Sequence, residues 1–225
     1  MKIKSNKTLI GVLSIVVPLT AAAANDRWYG YAGLQRHDLK MNVSHTTGLS
    51  TSDKGLHAGI GYQLSDNFSV EGGYMDMNRL IGSNNGAWAV DSSESASYAK
   101  NTYSYTSDLA GSLNINSEVD GWTLGGVYSA PLAEKFEGFV RAGVYRWSTD
   151  TAVSGVITAG TLTINSQDYT GAYDTYASTS GADAYLGLGG VYHASDNVGI
   201  KFGYNKYKID TNKVDSSELS LVFKL

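Results

Sequence analysis

A chain of 225 residues with a formal charge of −4 has room for one domain or a compact pair. It contains no cysteine, which excludes disulfide frameworks, thiolate catalysis and cysteine-based zinc sites, and its scattered charges form no basic tract of the kind that holds nucleic acid. Two prolines against 26 glycines and 16 tyrosines favour strands and turns over helices.

In chain order, Lys2, Lys4 and Lys7 come first, then a mostly apolar run from Leu9 to Leu19, then Ala22, Ala23 and Ala24. This is the layout of a secretory signal over residues 1–24, cut before Asn25. Its apolar run is shorter than the roughly 20 residues a spanning helix needs. No later run is apolar enough either, so any membrane insertion has to be by strands. Loss of three lysines takes the charge from −4 to −7.

Eight segments with period-two alternation follow: about Trp28 to His37, Gly55 to Leu64, Phe68 to Met77, Gly121 to Ala130, Phe136 to Trp147, Asp183 to His193, Val198 to Tyr207 and Ser216 to Leu225. Three connections are tight, at Ser65 to Asn67, Pro131 to Lys135 and Ala194 to Asn197. The other four are longer and polar, at about 39–54, 78–120, 148–181 and, shortest, 208–215. An even strand number with short turns at one end and long loops at the other is the rhythm of an eight-stranded antiparallel up-and-down transmembrane barrel, both termini periplasmic. A soluble sandwich has no reason to gather its short turns at one end.

The two faces agree. Leu56, Ala58, Ile60, Tyr62 and Leu64 oppose Gly55, His57, Gly59, Gly61 and Gln63; Leu219, Leu221, Phe223 and Leu225 oppose Glu218, Ser220, Val222 and Lys224. One face suits lipid, and the other, polar, small or aromatic, suits a narrow lumen. Tyr62, Phe68, Phe136, Tyr192 and Phe223 at one end, with Tyr74 and Trp122 towards the other, would form aromatic girdles.

The stretches from Gly61 to Tyr74 and from Tyr192 to Val198 resemble the strand-turn-strand units of OmpA/OmpX-like small outer membrane β-barrels, and Trp28 to Leu34 resembles that family's first strand. The resemblance covers residues 25–225, with no room for the peptidoglycan-binding domain that follows the barrel in longer members. It implies a Gram-negative outer membrane location, lipid and lipopolysaccharide around the barrel, and inward acids and bases that pair inside it. It also implies that Leu219, Leu221, Phe223 and Leu225 act as the signal read by the barrel assembly machinery, with Leu225 where the family usually ends in Phe. Two family positions, usually a base and an acid, are here Val127 and Val191.

Three groups carry the functional expectations. Glu71, Arg141 and Lys201 share inward parity at similar depth, and read either as a structural charge cluster filling a barrel just wide enough for side chains or as a gated ion pathway. Arg36, Arg146 and Lys206 fall on the lipid parity near the outer interface, where a base can snorkel into headgroups or contact lipopolysaccharide phosphates. The long loops, with Tyr98, Tyr103, Tyr105, Tyr169, Tyr173 and Tyr176 among polar residues, suit binding to a host or neighbouring-cell surface or are mobile surface loops, into which the strands can continue above the membrane. Enzymatic signals are weak: His193 and Ser195 have a lipid A deacylase spacing but fall in a periplasmic turn. His37, His45 and His57 lack metal-ligand spacing, and no cofactor is expected. The expected function is a non-enzymatic outer membrane protein supporting envelope integrity and presenting surface loops. The alternatives are an adhesin of opacity type and a narrow pore for small solutes.

Overall fold

The computed structural model describes residues 27–40, 52–81, 94–98, 100–106 and 110–225. The expected signal segment, His45 and most of the expected first loop lie outside them. Ten strands are present: β1 (Trp28–Lys40), β2 (Ser52–Ser65), β3 (Phe68–Ile81), β4 (Glu94–Tyr98), β5 (Asn101–Tyr105), β6 (Ala110–Ala133), β7 (Phe136–Ile164), β8 (Gln167–His193), β9 (Val198–Ile209) and β10 (Asn212–Lys224). Eight close a ring in the order β1-β2-β3-β6-β7-β8-β9-β10, with β10 paired back to β1, while the β4–β5 hairpin lies against the far end of β7. All ring neighbours are antiparallel. Closure matters because hydrocarbon offers no partner to an open sheet edge.

Period-two alternation decides which side chains enter the ring. Leu34, Leu56, Leu124, Val140, Leu186 and Leu219 point out and are exposed, as a lipid-facing surface requires, while Tyr31, Gln35, Met75, Tyr145 and Tyr207 alternate with them and are buried. The aromatic girdle residues meet in pairs across strands: Trp28 with Tyr62, and Tyr74 with Trp122.

Small residues make the narrow lumen possible. Three pairs of glycines face each other across neighbouring strands, Gly59 with Gly73, Gly125 with Gly143 and Gly189 with Gly203. An aromatic side chain lies over each pair: Tyr31, Tyr185 and Phe139 respectively. Where two strands carry no side chain, a ring from another strand takes the space. A Cβ on Gly143 would meet the Leu124 carbonyl and the Tyr185 ring. Gly143→Val is therefore expected to cost about 1–3 kcal/mol or more. The check is the urea midpoint at which the heat-modifiable band is lost on a gel.

The structure corrects the expected loop boundaries. Residues 148–181, expected as a loop, continue β7 and β8 as one hairpin. Residues 110–120 belong to β6, and 208–215 are strand but for a turn at Asp210 and Thr211. The reason is that this sheet uses hydroxyls where a barrel wall uses hydrocarbon. Ser117 hydrogen-bonds Thr151 (2.9 Å), Thr149 hydrogen-bonds Thr179 (2.8 Å), and these residues alternate with Val119 and Val153 on the buried side. The tip of the hairpin is a two-residue turn in which Asn165 and Ser166 both have positive φ, 50° and 68°, the sign a type I′ turn needs.

Candidate functional site: charged lumen, plug and outer rim

Halfway through the ring the lumen is crossed by charge. Glu71 on β3 accepts hydrogen bonds from Lys201 Nζ on β9 at 2.6 and 2.9 Å, and from the Tyr29 hydroxyl at 2.9 Å. Arg141 on β7 approaches Glu71 at 3.5 Å and donates to Glu218 on β10; its Nε donates to Asn205 Oδ1 at 2.8 Å. Glu218 also accepts from Gln35 at 3.2 Å and Asn205 at 3.3 Å, and lies 3.7 Å from His57. The network thus alternates Lys201, Glu71, Arg141 and Glu218, two acids against two bases, each almost fully buried. Aromatic faces complete the cage: Lys201 Nζ sits 4.8 Å from the Tyr31 ring centre and 5.0 Å from that of Phe139. Buried charges survive in a filled lumen only when paired and hydrogen-bonded, and these are.

Towards the outside the lumen is filled by apolar and aromatic groups. Met75, Met77, Val119, Tyr145, Trp147 and Tyr207 form a buried cluster with Tyr185, Ile209 and Val214. Trp147 caps it, its indole N–H donating to Asp183 at 2.8 Å. The β4–β5 turn lies across the rim there. Lys100 donates its backbone N–H to Asp210 (3.2 Å) and its ammonium to the Ser180 carbonyl (2.6 Å), and sits 5.6 Å from the Trp147 ring. Towards the short-turn end, a cavity of about 540 Å³ opens below Glu71 and Lys201. Val127, Val191 and Phe139 line it, so the two positions that lack a charged pair leave a vestibule in its place.

The rim cations are where the alternation puts them: Arg36, Arg146 and Lys206 are outward and exposed. Arg146 lies opposite Trp122, whereas Arg36 lies opposite Lys54, and Lys206 opposite Asp215. At the C-terminus Leu219, Leu221 and Phe223 face outward, paired with Leu34, Ala32 and Gly30, and the Leu225 N–H donates to the Trp28 carbonyl at 2.9 Å. Of the tyrosines, Tyr173 is buried, with its hydroxyl on the Ser112 carbonyl (3.2 Å). Tyr176 is exposed and bonds Asp150 at 2.6 Å, which raises its pKa above the ordinary phenol value. The side chains of Tyr98, Tyr103 and Tyr105 lie outside the described residues. His193 sits 3.3 Å from Glu137, but Ser195 Oγ accepts the Val198 N–H.

A closed ring of eight antiparallel strands, lipid-facing outside and charged within, leaves one comparison to decide the family. The profile described as the OmpA-like transmembrane domain matches residues 23–219. The chain belongs to this family. It is an outer membrane β-barrel. No curated protein matches it. Among solved structures, the OmpA-like barrel is similar to Ail, the attachment invasion locus protein of Yersinia pestis, at 13% identity over 88% of this chain and 97% of that one, with a TM-score of 0.48. It is also similar to Neisserial surface protein A, at 11% identity over 88% and 97% with a TM-score of 0.48, and to OprG of Pseudomonas aeruginosa, at 12% over 88% and 95% with a TM-score of 0.47.

The structure brings Glu71, Arg141 and Lys201 together, as their shared parity predicts, and adds Glu218 to them. Glu218 lies on inward parity in β10, but further from its strand end than Glu71 and Lys201 are from theirs. The signal was present, but parity alone does not say which strand faces which across a sheared OmpA-like ring.

Proposed function

We propose that this protein is a non-enzymatic outer membrane barrel that strengthens the envelope and holds up a rigid extracellular sheet as a binding platform for a host or neighbouring-cell surface. Export would follow cleavage after Ala24, and insertion would follow reading of Leu219, Leu221, Phe223 and Leu225 by the barrel assembly machinery. The observation that carries the reading is the β7–β8 hairpin. It runs on past the last β8–β9 pair, Tyr185 with Tyr207, to a tip at Asn165 and Ser166, with its own buried residues Val153, Ile157, Leu162 and Ile164. Barrel closure needs none of that length, and long segments beyond a compact scaffold are usually functional. A pore fits less well, because the charge network and the Trp147 cluster stand in series across the lumen.

The test is a variant in which residues 149–179 are replaced by a two-residue turn. Folding is expected to survive, since closing a shorter loop is entropically no harder. Attachment of cells bearing the variant is expected to fall to the level of cells without the protein. Unchanged attachment together with an unchanged defect on gene loss would leave only the envelope role. Loss of the heat-modifiable band would make the hairpin part of the scaffold.

A further inference from the structure

Two histidines and two methionines face inward on the outer side of the charge network, and we propose that they form a binding site for a soft monovalent metal ion, Cu(I). They are His37 on β1, His57 on β2, and Met75 and Met77 on β3, and all are buried. Along the chain the histidines show no ligand spacing, because the donors come from three strands that only their pairing brings to one level.

The register carries the argument. Met75 stands directly opposite His57 in the β2–β3 pairing, a relation that puts Cβ atoms about 4.5–5.5 Å apart. His37 reaches the same place by leaning over Gly55. A Cβ on Gly55 would lie 2.8 Å from His37 Nε2 and would run into the Asp76 carbonyl. The imidazole therefore lies across β2 against the stretch of β3 where Asp76 separates Met75 from Met77. A side chain at position 55 would occupy that space.

The nitrogens are available. Among the described residues both ring nitrogens of His37 and Nδ1 of His57 are buried without a hydrogen-bond partner. Ser216, opposite His37 on β10, gives its hydroxyl to Gln35 at 3.3 Å. An imidazole shut away from water with neither nitrogen bonded is costly, and native interiors seldom keep one without a use. His57 Nε2 is bound to Ser220 Oγ at 3.1 Å and lies 3.7 Å from Glu218, which favours the ring proton on Nε2 and leaves the lone pair on Nδ1. A ligating histidine is held in this way, its other nitrogen fixed by an orienting group.

The sulfurs choose the ion. Among the described residues no three histidines, acids or cysteines could share a metal ion, so hard cations have no site here. Thioethers are soft, uncharged ligands that select Cu(I), whereas Zn(II) takes thiolate, imidazole and carboxylate. A monovalent ion adds a single charge, and Glu218 stands beside His57 to offset it. The rotatable bonds of methionine let the sulfurs turn to the ion without moving β3. Met75 and Met77 belong to the cluster that Trp147 caps, so the ion is taken up as the barrel folds.

The experiment refolds the full mature chain into detergent micelles without oxygen, with Cu(I) supplied as its coloured bicinchoninate complex. The expected result is a single Cu(I) withdrawn from the chelator per heat-modifiable barrel, and an X-ray absorption spectrum showing both nitrogen and sulfur bound to the ion. Met75→Leu/Met77→Leu keeps the apolar volume and removes both sulfurs, and should leave Cu(I) with the chelator. Ser220→Ala, which frees the His57 ring to turn, should weaken binding about tenfold to a hundredfold. His193→Gln, at the periplasmic mouth, should leave it unchanged. Zn(II) present during refolding should not be retained. A parent chain that withdraws no Cu(I), or a leucine pair that withdraws as much as the parent, would overturn the proposal, as would Zn(II) held as tightly as Cu(I). If the leucine pair gives no heat-modifiable band, His37→Gln is read in its place, with loss of Cu(I) expected and retention counting against the site.

Discussion

Arg141→Met is expected to destabilise the barrel by about 3–5 kcal/mol, because it strands a carboxylate in the buried centre of the lumen. Arg141 is the hub of the network, touching Glu71, Glu218 and Asn205. Without it Glu71 keeps Lys201 and the Tyr29 hydroxyl, but Glu218 keeps only the neutral amides of Gln35 and Asn205, with His57 at 3.7 Å. The Glu218 side chain has no solvent exposure, so water cannot take the place of the lost cation. The measurement is the urea midpoint of the gel-shift transition. The same measurement on Arg141→Met/Glu218→Gln should recover most of the loss, since an amide needs hydrogen bonds and not a counter-charge. A single variant with the parent's midpoint would show that the pairing contributes little. A double variant no better than the single one would place the effect in packing, with charge irrelevant.

Trp147→Ala should have a comparable effect for a different reason. Trp147 is 1% exposed and sits at the top of the apolar cluster among Tyr145, Met77 and Ile209. Removing a buried indole costs about 3–5 kcal/mol through lost transfer and the cavity left behind. It also removes the surface beneath Lys100, so the β4–β5 turn should become more sensitive to protease. Conductance in planar bilayers should nevertheless stay at the parent level, because the Glu71, Arg141, Lys201 and Glu218 network still crosses the lumen below. A clear rise in conductance on this single substitution would mean that Trp147 alone closes the barrel. It would also revive the reading as a pore.

The legible part of this protein was its membrane wall. From Gly121 to Ala130, from Phe136 to Trp147 and from Asp183 to Tyr207, apolar and small residues alternate cleanly because lipid and lumen make opposite demands on successive side chains. Above the membrane both faces of a strand can be polar. Residues 148–181 read as loop because Ser117, Thr149, Thr151 and Thr179 form the buried face there with hydroxyl pairs, which carry no hydrophobic period. Lys54, Lys208 and Lys213 likewise read as loop residues, although their strands continue through them.

By itself, then, the sequence determined the strand count in the ring, the facing of the side chains within the membrane wall and the sign of each inward charge there, because these depend only on a period of two along one strand. Only the tertiary structure decided which residues meet. Glu218 joins Arg141, Tyr185 covers Gly125 and Gly143, and Lys208 stands against Lys213 because closure and register bring distant strands to one level. The offset between neighbouring strands that closes a ring is set by all eight together, and no single strand carries it.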